Sequence, residues 1–356
     1  MTLPGECVPR QQGPPRLGAT GVRMAITTDS DSTAITPSGI AVTAVGRSFG
    51  AVSALREATL SVPAGSVTAL IGPNGSGKTT LMLMLASLLT PDTGSIRING
   101  HDPVTAPDRV RAVTGWMPDT LGSWPSLSAR AALQTTGRLY RLTHEQAAVR
   151  ADELITLTDL TDFADRPSRV LSRGQKQRLS LARALVHSPG VLLLDEPASG
   201  LDPAARTSLR QLLRRLAAEG AAILVSSHVL AELDEMADAA VYLAEGRTAT
   251  PEQVAAAGAS ARTWRIRSLN AASLERALAA PGVVTALVQV IGVDQLGTLV
   301  QVHDEPSAAA LLHNLVLSGV PVCDFGPAVG NLEHTFLDLA REARKEIAPN
   351  SAEFTA

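Results

Sequence analysis

A chain of 356 residues, 45% hydrophobic and 18% charged, is long enough to bury two cores and too apolar to remain disordered. A formal net charge of −3 and only 3% aromatic residues argue against a nucleic-acid surface, which needs clustered cations and stacking platforms. Cys7 and Cys323 lie far apart, outside any metal-ligand spacing, and read as reduced thiols. No run of about 18 apolar residues occurs and the first residues lack a charged-then-apolar leader, so a partner is expected to bring the chain to any membrane at which it works.

Residues 1–37, rich in Pro, Gly, Ser and Thr without periodicity, read as a disordered tail. A strand is expected from residue 40, closing at Phe49-Gly50, with short strands over 60–62 and 67–71. Gly72-Pro73-Asn74-Gly75-Ser76-Gly77-Lys78-Thr79-Thr80 then fits the phosphate-binding pattern G-x-x-x-x-G-K-[ST]. Gly72, Gly75 and Gly77 let the backbone around Asn74 curl so that its N–H groups face a phosphate chain. Lys78 can reach β- and γ-phosphates, and the Thr79 hydroxyl can hold Mg²⁺ with Thr80 beside it. The following residues 81–85 are apolar almost all round, as in a buried helix. Strand, glycine loop and helix together point to a nucleotide, where an ordinary glycine turn would need no such context.

Strands are expected over 94–98 and 113–117, and a helical insertion over about 120–188, with Leu133, Leu139 and Leu154 among its apolar positions. Leu171-Ser172-Arg173-Gly174-Gln175 opens a helix running through Ala184, whose first turn can bind an anion or simply be well capped. The aliphatic run ending in Asp195-Glu196-Pro197 reads as a strand buried on both faces. Acids at the carboxyl end of such a strand suit Mg²⁺ and an attacking water; a solvated strand end is the plainer reading. Asp202 before Pro203 is a good helix cap, with a stripe at Leu209, Leu212, Leu213 and Leu216. Another strand over 222–225 leads to His228, read either as a helix cap or as a γ-phosphate contact. A strand over 240–243 is expected to close this first unit, 38–250.

An Ala-, Gly- and Ser-rich stretch, 251–262, reads as a flexible linker to an independent second core over 263–346, with a tail at 347–356. Elements alternate there as β-α-β-β-α-β, the ferredoxin-like order, followed by a helix carrying Leu332, Phe336, Leu339 and Ala343 on one face.

The P-loop, the LSRGQ sequence, LLLDEP, SGLD at 199–202 and His228 occur in the order and spacing of ABC-type ATPases, which residues 40–245 resemble closely. The resemblance implies an α/β fold of the ABC type with a helical subdomain, beside the small α+β domain. It implies ATP and Mg²⁺ as cofactors and a head-to-tail homodimer or heterodimer. It also implies a separate integral membrane permease, with this chain on the cytoplasmic face of the membrane. Carried onto these positions, it makes Phe49 the aromatic that stacks on adenine and Glu196 the general base, with His228 beside it. Asp195 and Thr79 serve the metal. Ser172, Gly174 and Gln175 reach the partner's γ-phosphate, and Asp202 couples the two sites. Two positions depart from the common pattern: Arg173 replaces a glycine, and Asp119 replaces a glutamine that touches Mg²⁺. The sequence Asn331-Leu332-Glu333-His334-Thr335-Phe336-Leu337 resembles the C-terminal extension of bacterial ABC-2 exporters. Members acting on ribosomes carry two ATPase units, and those acting on DNA carry long coiled-coil arms. Here there is one unit, with about 117 residues between Lys78 and Asp195 and no heptad array.

Overall fold

The computed structural model describes residues 39–120, 122, 124–280 and 288–347, with side chains as far as 342. The tail expected at 1–37 lies outside the described residues, as do residues 348–356 of the tail expected at 347–356, whose first residue ends a helix instead; the side chain of Ala343 also lies outside them. The chain enters as an antiparallel hairpin, β1 (Gly39–Phe49) and β2 (Val52–Pro63), bulged between Val42 and Ser48. β3 (Val67–Ile71) is buried at every position, as a strand flanked on both sides by parallel neighbours must be. The glycine loop leads into α1 (Lys78–Leu85), where Leu81, Met82, Met84 and Leu85 are all buried. β4 (Thr93–Ile98) returns to the open side of β1. α2 (Pro107–Val113) precedes β5 (Thr114–Met117), so Val113, expected to open the strand, ends a helix instead. That helix buries only Val110 and leaves no stripe to read.

The helical insertion contains α3 (Ala129–Leu139), capped by Ser128, and α4 (His144–Leu157), with a Thr143–Gln146 capping box. α5 (Arg173–Ala184) opens on a second box, Ser172–Gln175. β6 (Val191–Asp195) follows, then α6 (Pro203–Ala218), capped by Asp202 and burying Leu209, Leu212 and Leu213. β7 (Ala222–Ser226) runs into α7 (Leu230–Met236), which starts two residues beyond His228 and leaves that residue in the loop. β8 (Ala239–Ala244) does not close the unit as expected. β9 (Arg247–Thr248) follows it, antiparallel to β8 and parallel to β2, and joins the hairpin layer to the parallel core. The sheet runs β4-β1-β2-β9-β8-β3-β7-β6-β5. β3, β7 and β6 are adjacent and parallel, so the loops after them emerge side by side at one edge, where open α/β sheets bind their ligands.

The stretch expected to be a linker contains a helix, α8 (Pro251–Gly258), with a Thr250–Gln253 capping box. Its alanines are strong helix formers once a cap fixes the first turn, and composition alone hid this. β10 (Arg262–Ser268), α9 (Ala271–Ala279), β11 (Val288–Asp294), β12 (Gly297–Val302), α10 (Glu305–Leu317) and β13 (Val322–Pro327) then build a smaller unit. Its sheet order is β11-β12-β10-β13 with every neighbour antiparallel, the split βαβ arrangement the element order predicts. The first part of the strand expected over 283–290 lies outside the described residues. Ile266, Val300, Val302, Leu311 and Leu315 centre a core of its own.

The last helix, α11 (Asn331–Ile347), does not stay with that core. Leu332 is buried in the same cluster as Leu233, Met236 and Tyr242 of the large unit, and Phe336 and Leu339 pack against it. Asp234 Oδ1 accepts from the Leu332 N–H at 3.0 Å, which satisfies one of the helix's free N-terminal donors. The expected independence of the second unit is therefore corrected: it has its own core, but its final helix completes the other one.

Candidate nucleotide site

The glycine loop between β3 and α1 is shaped by what surrounds it. Gly77, at φ +105°, precedes α1, and a Cβ there would stand 2.5 Å from the Ala54 carbonyl oxygen. Gly75, at φ +81°, lies at the exposed tip beside Asn74 with nothing within 4 Å of where its Cβ would be, so its backbone is open to close approach by a ligand. A Cβ on Gly72 would stand 2.2 Å from the Leu243 carbonyl oxygen. Ser76 is buried and its Oγ has no partner, an unspent hydroxyl in the cradle. Lys78 Nζ donates to Gly72 O at 2.7 Å and Pro73 O at 3.0 Å, which folds the ammonium back over the loop. Burial lowers the Lys78 pKa, and the carboxylates of Glu196 and Asp195 oppose that shift. Such a cradle, with a cation over it and a helix N-terminus behind it, fits a polyphosphate.

The acids stand across from it. Asp195 ends β6, buried, and pairs in register with Ser226 of β7, whose hydroxyl donates to Asp195 Oδ1. Thr79 Oγ1 donates to Asp195 Oδ2 at 3.4 Å, which brings the first residues of α1 to the end of β6. Glu196 has φ +53°, a left-handed conformation that costs a non-glycine residue about 1–3 kcal/mol. It is held there by its N–H donating to Ser226 O at 3.1 Å and by Gln177 Nε2 donating to its carbonyl at 2.7 Å. His228 Nδ1 lies 2.7 Å from Glu196 Oε2, the ring N–H donating to the carboxylate. Burial pushes the Glu196 carboxyl above its ordinary range, His228 pulls it down, and the charges of Asp195 and Asp119 push it up again.

The metal donors can be tested on their chemistry. Among the described residues no three of His, Cys, Asp or Glu converge into a cage. The Thr79 hydroxyl and the Asp195 carboxylate offer only hard oxygens. That suits Mg²⁺, which takes one or two protein ligands and fills its shell with phosphate oxygens and waters. Asp119 is exposed two residues beyond β5, within electrostatic reach of Glu196. Phe49 ends β1, 49% exposed, with the Arg47 guanidinium 5.0 Å from its ring centroid.

A sequence family described as "ABC transporter" matches residues 55–199. The daunorubicin/doxorubicin resistance ATP-binding protein DrrA of Streptomyces peucetius is 33% identical over 288 residues, which cover 79% of this chain and 86% of that protein. The chain belongs to the family of ABC transporter ATP-binding proteins. A further relative in the family, the probable multidrug ABC transporter ATP-binding protein YbhF of Escherichia coli, is 34% identical over 298 residues. The match covers 82% of this chain and 50% of YbhF, so the chain spans about half that relative's length. Among solved structures, a dimeric ATP-binding cassette in a post-hydrolysis state bound to ADP and Pi aligns with a TM-score of 0.55 at 25% identity. It covers 59% of this chain and 97% of that one.

Within this ABC-family fold the predicted residues fall into two groups. The P-loop, Asp195, Glu196 and His228 meet at one edge of the sheet. Ser172, Gly174 and Gln175 do not: among the described residues no hydrogen bond joins them to the P-loop of the same chain. Ser172 Oγ accepts from the Gln175 N–H at 3.2 Å and Gln175 Oε1 accepts from the Ser172 N–H at 2.9 Å. The serine O–H and the glutamine NH₂ remain free to donate. Asp202 Oδ1 accepts from the Ala205 N–H at 2.9 Å, and such backbone bonds hold its carboxyl below the usual range. Sequence reading missed Ser226 and Gln177, which orient the two acids. The serine at the end of the strand next to Asp195 was the one available signal.

Proposed function

We propose that this chain is the ATP-binding and ATP-hydrolysing subunit of an ABC exporter, working through a separate integral membrane subunit. The reading rests above all on Glu196 and His228, hydrogen-bonded at 2.7 Å beside Asp195 and facing the P-loop lysine. Phosphoryl transfer to water needs charge neutralised on the phosphates and a base aimed at the water. Lys78 and the N-terminus of α1 meet the first need. Glu196, its basicity raised by burial, meets the second, accepting the proton as the water attacks. His228 holds the Glu196 carboxylate in one rotamer. Thr79 and Asp195 would hold Mg²⁺, which would supply further neutralisation of the phosphates. The free face of Phe49 stacks on adenine.

Ser172, Gly174 and Gln175 serve the nucleotide of a second ATPase subunit, identical or not, since among the described residues no hydrogen bond joins them to their own P-loop and the Ser172 O–H and Gln175 NH₂ are left free to donate. Export is favoured because the relatives named for drug resistance and multidrug transport match over 79% and 82% of the chain, into the C-terminal unit. No described helix is long and apolar enough to cross a membrane; under the proposed function an integral membrane partner makes the crossing and this chain lies on the cytoplasmic face. Affinity purification of the full chain from native membranes is expected to bring down an integral membrane protein. Recovery with ribosomes or DNA and no membrane protein overturns the reading.

Asp119 takes part through the metal. A carboxylate oxygen can replace an amide oxygen chemically, and Asp is one methylene shorter than Gln, so Asp119 would serve Mg²⁺ either directly or through one of its waters. Asp119→Ala is expected to raise the Mg²⁺ concentration for half-maximal turnover about tenfold, the usual loss for an outer-shell partner, and Asp119→Gln to recover much of it. Phosphate release against Mg²⁺ at saturating ATP decides the matter. An Ala variant that follows the wild-type curve removes Asp119 from the metal site.

A further inference from the structure

Arg173, the residue of the LSRGQ sequence that the resemblance sets against a glycine, has a side chain with a defined destination. Its Nη2 donates to Ser199 Oγ at 2.8 Å. Its stem lies flat against Gly200, where an added Cβ would stand 3.0 Å from Arg173 Cδ and 3.1 Å from Cγ. Among the described residues no carboxylate pairs with this guanidinium. One turn further along the same face of α5, buried Gln177 donates to the Glu196 carbonyl. Helix α5 therefore grips the segment 196–200 at both ends, by the backbone of Glu196 and by the hydroxyl three residues on. The segment is a compact unit between those grips: the Ser199 N–H donates to Glu196 O at 3.1 Å and the Leu201 N–H to Ala198 O at 3.2 Å. It opens on Glu196 in the left-handed region, a strained conformation for a residue with a Cβ, so its conformation depends on being held.

We propose that Arg173 is a positioning residue that fastens the first turn of α5 to the segment 196–202. When that turn closes on the nucleotide of a second subunit, it carries Glu196 of its own chain with it. A glycine at 173 has no means of making this link. Gln177 alone holds only the Glu196 end. The inference rests on the function proposed above, because it gives the linked parts their roles.

The test uses the full chain with Arg173→Ala, Arg173→Lys, Ser199→Ala and the Arg173→Ala/Ser199→Ala double variant. Amide hydrogen exchange over 196–201, without nucleotide, is expected to quicken equally in the two alanine variants and no further in the double. Phosphate release is expected to show kcat about tenfold lower, the scale of a small misplacement of a reacting group, with KM for ATP unchanged within about twofold. The double variant should lose no more than either single, and Arg173→Lys, which can still donate to the hydroxyl, should recover part of kcat. Unchanged exchange in Arg173→Ala overturns the proposal, as do additive losses of kcat. A raised KM with kcat kept also overturns it and marks the guanidinium as a direct phosphate contact. A wild-type chain that releases no phosphate defeats the proposed function, and the exchange measurement then still decides whether Arg173 holds the segment.

Discussion

Glu196→Gln is expected to lower ATP turnover by roughly a hundredfold or more while ATP still binds, because the amide keeps the shape of the carboxylate and cannot accept a proton. Gln Oε1 can still accept from His228, so the 2.7 Å contact that orients the side chain survives the change. The P-loop and Thr79 are untouched, and in the proposed dimer bound ATP would then persist between subunits that hydrolysis would otherwise separate. Sedimentation with ATP should find the variant as a stable dimer, and phosphate release should find it nearly inactive. The wild-type pH profile carries the same signature. Burial raises the Glu196 pKa, so the acid limb of turnover should lie above the ordinary carboxylate range, activity falling as pH drops through it. Wild-type turnover in Glu196→Gln would falsify the assignment of the base.

Lys78→Ala should act differently, on binding and turnover together. The ammonium sits over the loop, held by the carbonyls of Gly72 and Pro73, where on the proposed function it would meet the phosphates before and during transfer. A cation about 4 Å from a phosphate charge contributes about 4 kcal/mol at an effective dielectric of about 20, enough for roughly a hundredfold or more in affinity. Its loss also leaves Asp195 and Glu196 without the cation that faces them, so their charge repels the incoming nucleotide. Titration with a fluorescent ATP analogue beside phosphate release separates the two substitutions: Glu196→Gln binds and stalls, whereas Lys78→Ala does neither. If affinity and turnover both survive Lys78→Ala, the lysine does not serve the phosphates.

What could be read from the sequence was what the chain writes locally. α5 was readable because Ser172 and Gln175 close a capping box, and α10 because Ala308, Leu311, Leu312 and Leu315 repeat at helical spacing. The strands β3, β6 and β7 were readable because burial on both faces leaves a continuous apolar run. α2 and β9 were too short to repeat a pattern, and α8 was hidden because alanine-rich sequence suits both a helix and a linker. The site divides in the same way. Lys78, Asp195 and Glu196 sit in contiguous motifs, and His228 follows closely on the end of an apolar strand. Ser226 orients Asp195 only because the β6–β7 register sets them side by side, and Gln177 reaches Glu196 only because α5 packs with that face inward. The apolar stripe on α11 was plain, but nothing local says that Leu332 belongs beside Tyr242 rather than beside the sheet it follows.

That placement sets the order in which the molecule can be finished as it is made. The Tyr242 hydroxyl meets the Leu332 carbonyl across a separation of 90 residues. At a synthesis rate of ~5–20 residues per second, Leu233, Met236 and Tyr242 wait ~5–20 s for the helix that covers them. During that interval the smaller sheet receives its last strand, β13, which ends at Pro327, before Leu332 has been added. The unit translated second therefore has its whole core in hand first, and the nucleotide-binding half stays open to solvent on one side until α11 has been made.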